Sequence, residues 1–161
     1  MVGCGGSGKT YLTTRLAAAL DLPATHLDAV YFDEAWTPLP PVDFAARQRE
    51  LVTAPRWVID GNYVTTLPIR AAAADVVVFL DQTTWRCLGA VLFRRLRHGG
   101  GQDPESGRYG RVTWRFLWYV AGYRRRVRPR VLAVLADAGV VTVVLRNRRE
   151  VAGFVAGVAA R

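Results

Sequence analysis

Apolar positions along this chain switch between two kinds of spacing. Over residues 9–20 they fall at Leu12, Leu16, Ala19 and Leu20, the one-sided pattern of an amphipathic helix. Over 76–80 they run without interruption, as in a strand buried on both faces of a parallel sheet. The same reading predicts further strands at 1–2, 25–27, 56–59 and 140–145, and further helices at 43–52, 68–73, 84–97, 112–136 and 150–160. Asp43 is placed to cap the second helix, Pro68 to open the third and Pro129 to break the long one. Residues 36–41 are turn-rich, and 98–110, with four Gly before Arg108, read as loop. Strands alternating with helices predict an α/β fold whose parallel sheet is covered on both faces.

Composition narrows this to one domain, 1–161. At 161 residues, 51% hydrophobic and 22% charged, the chain can bury a core and resembles neither a disordered nor a collagen-like sequence. Asp75 and Asp137 interrupt the longest apolar stretches, so no membrane span is expected, and no signal-peptide pattern opens the chain. A cytoplasmic protein is the expectation. Cys4 and Cys87 are too few for a disulfide framework or a zinc cluster and read as free thiols.

Charge is distributed unevenly. Between Arg86 and Arg130 there are twelve Arg against Asp103 and Glu105, a local charge of +10 in a chain whose total is +9. The one Lys in the sequence is Lys9. It closes the run Gly3-Cys4-Gly5-Gly6-Ser7-Gly8-Lys9-Thr10, which fits G-x-x-x-x-G-K-[ST] between a strand stub and an amphipathic helix. Glycines let successive N–H groups curl around an anion, and the helix start adds its positive dipole end. Gly3, Gly5, Gly6, Ser7 and Gly8 would cradle the phosphates of ATP, Lys9 would reach the β- and γ-phosphates, and Thr10 would hold Mg²⁺. A compact ammonium is wanted there and nowhere else in an otherwise all-Arg chain.

Phosphoryl transfer also needs a carboxylate at a neighbouring strand end, where ligands gather in open α/β sheets. Asp60 and Asp81 each end an apolar strand. Asp60 is the choice for metal contact because Gly61 follows; Asp81 reads equally as the N-cap of the next helix. Asp28 could orient an acceptor hydroxyl or act as its base, or be a solvated loop carboxylate beside Asp33 and Glu34. His26 is read as packing, His98 as a helix-end residue.

The arginine-rich stretch, about residues 94–130, reads as a lid hinged on a glycine-rich loop, with Arg95, Arg126 and Arg128 as candidates for neutralising the transferring phosphoryl group. Trp114, Leu117, Trp118 and Ala121 fall at i, i+3, i+4 and i+7, which predicts a buried stripe. The rival reading is a nucleic-acid surface, since Trp114-Arg115-Phe116-Leu117-Trp118-Tyr119 interleaves aromatic and basic residues.

Taken in order, the phosphate loop, His26-Leu27-Asp28, Trp57-Val58-Ile59-Asp60-Gly61-Asn62-Tyr63, Val78-Phe79-Leu80-Asp81 and the Arg-Arg-x-Arg lid helix resemble the bacterial DNA topology modulation proteins (FlaR-related), which are similar to adenylate kinases in fold. The resemblance spans nearly the whole chain. It implies a P-loop NTPase architecture of three α/β/α layers, strand order 2-3-1-4-5 and an ATP site; the chain departs from that pattern in its truncated first strand, since only Met1 and Val2 precede Gly3. It also implies an acceptor pocket near Asp28, Gly61, Asn62 and Tyr63, with Arg146 near the adenine. Where adenylate kinases carry D-G-[FY]-P-R, this chain reads Asp60-Gly61-Asn62-Tyr63-Val64, with Arg70 as the nearest candidate to meet an acceptor charge. The expected function is a Mg-ATP-dependent kinase acting on an unidentified small-molecule or nucleotide acceptor. The alternative is an ATP-binding module whose basic lid docks nucleic acid.

Overall fold

The computed structural model describes residues 1–33, 37–98 and 113–160. The parts of the lid at 99–112, with Arg108 and Arg111, and Glu34 and Trp36 lie outside the described residues. Five strands, β1 (Val2–Gly3), β2 (Ala24–His26), β3 (Val58–Asp60), β4 (Val76–Leu80) and β5 (Val141–Leu145), alternate with eight helices among the described residues. The helices are α1 (Lys9–Leu20), α2 (Leu27–Tyr31), α3 (Pro41–Leu51), α4 (Leu67–Ala73), α5 (Thr84–His98), α6 (Trp114–Arg126), α7 (Arg128–Asp137) and α8 (Arg148–Ala159).

Every strand pairing is parallel, as the α/β pattern predicts. β4 lies between β1 and β5, in register from Val76 opposite Val141 to Leu80 opposite Leu145, and β2 pairs separately with β3. Two backbone hydrogen bonds join the pieces: the Met1 ammonium donates to Ile59 O at 2.7 Å, and Gly61 N–H donates to Met1 O at 3.2 Å. Burial drives the Met1 amine down to a pKa of about 5.

Alternation along β4 shows why its apolar run is unbroken. Val77 and Phe79 pack with Leu67 and Ala71 of α4 and Val131 and Leu135 of α7. Val78 and Leu80 point the other way, onto Leu12 and Leu16 of α1 and Val151 of α8. Helices therefore cover both faces. A smaller cluster, Leu27, Phe44 and Ile59, seats α2 and α3 on β3.

Element boundaries differ from expectation in physically readable ways. Asp28, expected to close β2, lies in the first turn of α2, where a carboxylate suits the helix dipole. Asp43 lies inside the first turn of α3, which Pro41 opens. The break in the long helix falls at Val127, one turn-start before Pro129, which occupies the opening of α7. Asn147 caps α8 by accepting from Glu150 N–H at 3.0 Å, and Glu150 reaches back to accept from Arg146 N–H, just before the cap, at 2.6 Å.

The aromatic stripe of α6 is a correction. Trp114 and Trp118 are 79% and 75% exposed, while Val120 and Tyr123 are buried and Phe116 packs with them. Two helical faces of α6 carry apolar residues at the same spacing, so periodicity alone does not select between them. The buried face is the one that fits a surface made of glycine and cysteine: a Cβ on Gly5 would lie 2.5 Å from the Phe116 ring.

Candidate functional site

The carboxyl ends of β1, β3 and β4 lie side by side, and the sequence-predicted residues divide into three groups around them. The first is the loop between β1 and α1. Gly6 and Gly8 hold φ of 80° and 93°, the left-handed region that glycine adopts without strain, and Gly8 leads directly into Lys9, the first residue of α1. The Lys9 ammonium folds back over the loop and donates to Gly3 O at 3.0 Å and Cys4 O at 2.9 Å. Ser7 N–H closes a turn onto Cys4 O at 3.1 Å, and Ser7 Oγ is buried with no hydrogen-bond partner. A curled loop at a helix start, a cation laid across it and an orphaned hydroxyl are the features an anion would satisfy.

The second group gathers at the turn after β3. Asp60 Oδ2 lies 2.8 Å from His26 Nδ1, and this bond, ahead of the opposing desolvation, raises the His26 pKa above its ordinary value. His26 is thus a partner of the carboxylate, a role beyond the packing expected of it. Gly61 fits because Leu27 Cβ would stand 2.7 Å from any Cβ placed there. Tyr63 donates to Asp28 Oδ1 at 2.7 Å, so two residues predicted for the acceptor site meet. Burial, then the Asp28 charge, pushes the Tyr63 phenol well above its usual range. Rings of Tyr31, Phe44 and Tyr63 pack in a triangle with centroids 4.7 to 5.0 Å apart.

Arg70 does not face an acceptor. It is 4% exposed, donates from Nε to Gln48 Oε1 at 2.8 Å and from a terminal nitrogen to Gly61 O at 2.9 Å, and burial lowers its pKa to about 10. Its work is to hold the Asp60–Tyr63 turn. Asn62 is held from the other side, donating to Tyr119 Oη at 2.7 Å and accepting from Tyr123 Oη at 3.4 Å. Burial pushes the Tyr119 phenol up to about 12. The sequence reading missed both phenols; their i, i+4 spacing, which places them on one helix face, was the available signal.

The third group forms at the end of β4. Asp81 takes both guanidinium bonds of Arg128, at 2.9 and 2.8 Å. This pairing, ahead of opposing desolvation, lowers the Asp81 pKa, with Arg124 and Arg146 adding to the pull. α5 begins at Thr84, so its capping position is Thr83 and not Asp81. Arg128, predicted to act on phosphate, is engaged by protein, and Arg146 is exposed on the loop after β5, within electrostatic reach of the same carboxylate. Arg95 lies on the exposed side of α5. Arg126 joins Arg115, Trp118 and Tyr119 around a shallow groove of about 320 Å³. α5 and α6 rest on the loop itself, Phe116 against Gly5 and the Cys87 backbone against Gly6.

Among the described residues no group of three or more His, Cys, Asp or Glu is arranged to hold a metal, and no helix is long and apolar enough to cross a membrane. The Thr10 hydroxyl and the Asp60 carboxylate are hard oxygen donors of the kind Mg²⁺ takes, and Asp60 is buried with Oδ2 on His26. No protein-family model matches the chain, and no curated protein matches it.

Proposed function

We propose that this chain is a Mg-ATP-dependent P-loop phosphotransferase of adenylate kinase-like architecture, acting on a small-molecule or nucleotide acceptor bound beside Asp28 and the Asp60–Tyr63 turn. The observation that carries the reading is the loop from Gly3 to Thr10: left-handed glycines, a helix start and the Lys9 ammonium spanning the loop. The two Met1 hydrogen bonds, to Ile59 O and from Gly61 N–H, support the strand order 2-3-1-4-5.

When bound, Mg-ATP supplies an electrophilic γ-phosphoryl group. Loop N–H groups and Lys9 would hold its phosphates, and Thr10 and Asp60 would hold the metal. Asp28, steadied by Tyr63, would orient an acceptor hydroxyl. With Arg128 committed to Asp81, the lid cations free to meet phosphate among the described residues are sought in Arg126 and its neighbours. The test is ADP release from Mg-ATP across nucleoside monophosphates, nucleosides and sugars, with Lys9→Ala as control. Stimulation by one acceptor, lost in the variant, is expected; acceptor-dependent turnover that survives Lys9→Ala would contradict the assignment.

The exposure of Trp114 and Trp118 on the helix that also carries exposed Arg115, Arg124, Arg125 and Arg126 favours a second reading, a basic aromatic face that stacks and neutralises single-stranded nucleic acid. Such binding weakens steeply between low and moderate salt, whereas a nucleotide held in the loop loses far less.

A further inference from the structure

Two nucleophilic side chains take no part in this chemistry. Cys4, the second residue of the phosphate loop, and Cys87, near the start of α5, are both free thiols and both buried. The fold brings them into one cluster with Val120 and Tyr123. Cys4 Sγ lies 3.9 Å from Val120 O, and the Cys87 carbonyl stands where a Cβ on Gly6 would meet it at 2.5 Å. The Cys87 side chain, ahead of burial, pushes Cys4 far above the usual thiol range, and the Cys4 side chain draws Cys87 below it, helped by Lys9 and Arg124.

Buried cysteines are commonly inert small hydrophobes. This pair differs because both cysteines sit in one buried cluster of four residues, and because one of them belongs to the loop that would grip phosphate. We propose that Cys4 and Cys87 are a reversible disulfide site that ties the phosphate loop to α5 when the protein meets a peroxide. The Cys87 thiolate attacks the peroxide O–O bond, giving a sulfenic acid and hydroxide; the Cys4 sulfur then displaces the sulfenic oxygen as water, forming the S–S bond. Peroxide is reduced by two electrons and the two thiols are oxidised by two. A dithiol reductant reverses the step by exchange.

The consequence is mechanical. An S–S bond of about 2.05 Å would fix Cys4 of the loop to Cys87 of α5 and so tie the two segments together. Cys4 O accepts both from Lys9 and from Ser7 N–H, so the constraint reaches the anion cradle. The site is independent of which phosphate ligand the loop takes.

Native protein exposed to hydrogen peroxide, alkylated under denaturing conditions and digested without reductant tests this. The expected product is lighter by two hydrogens before digestion, yields one cross-linked peptide pair containing Cys4 and Cys87, and regains two alkylatable thiols with dithiothreitol. Cys87→Ala is expected to abolish the mass loss. In Cys4→Ala the sulfenic acid, with no resolving thiol, is expected to be trapped at Cys87 by dimedone. Recovery of both cysteines as thiols, or as separate sulfinic or sulfonic acids without a cross-link, overturns the proposal.

Discussion

The glycine-rich loop from Gly3 to Thr10 and the Asp60–Tyr63 turn lie next to each other at one end of the sheet, yet they are held in opposite ways. The turn is saturated: Arg70 and Gln48 support it from below, His26 takes Asp60, and Tyr119 and Tyr123 take Asn62. The loop is held by glycine conformation and one folded-back Lys, and it keeps a buried hydroxyl without a partner. A polar segment whose groups are all partnered gives rigidity, while one left with unspent donors is ready for a ligand. Substitutions in the residues that brace the turn, Arg70, Tyr119 and Tyr123, should therefore be read in stability, and substitutions in the loop in binding.

The sharpest way to break this contrast is Arg70→Met. It leaves Gln48 Oε1 and Gly61 O buried without donors, so a loss of about 3 kcal/mol is expected in urea unfolding. A loss within ~0.5 kcal/mol would show that the turn does not depend on its buried guanidinium. Next in size is Arg128→Ala, at about 2 kcal/mol, because Asp81 loses both its bonds while Arg128 itself is partly solvated. The Asp81 pKa is lowered on folding, so its contribution is present above the ordinary carboxyl value of 3.8 and is lost as pH falls through the folded value. Wild type and Arg128→Ala should converge in acid; a constant gap down to that range would contradict the pairing.

Smaller effects sharpen the same picture. Tyr119→Phe removes one hydrogen bond to Asn62 and should cost about 1 kcal/mol, measured by thermal unfolding. His26 has a raised folded pKa, so its bond to Asp60 stabilises fully below the unfolded value of 6.5 and fades as pH rises through the folded value. His26→Gln should flatten that part of the stability profile, and an unchanged profile would sink the assignment.

The same contrast explains what could be read in advance. The loop is eight consecutive residues whose spacing carries its geometry, and β4 and β5 announce themselves as apolar runs, so the parallel α/β plan was legible. The turn is assembled from α3, α4 and α6, and no local pattern in the sequence links Gln48 to Arg70 or Asn62 to Tyr119. Asp81 illustrates the limit well. Its place after a strand and before a helix satisfies the pattern of an N-cap, but Arg128, 47 residues away, supplies a stronger partner. Cys4 and Cys87 are likewise brought together only by the packing of α5 on the loop. On α6, two apolar faces with one spacing left the choice to the surface beneath, and glycine with cysteine accepted Phe116, Val120 and Tyr123 in place of the tryptophans.

The central claim, that the Gly3 to Thr10 loop grips the phosphates of ATP through Lys9, is tested most directly by calorimetric titration of Mg-ATP into wild type and Lys9→Ala, with the thermal unfolding of each recorded alongside. Loss of a charge-assisted contact predicts at least about tenfold weaker binding in the variant, with an unfolding temperature close to that of wild type. Equal affinity in the two proteins, or no binding by wild type, would contradict it.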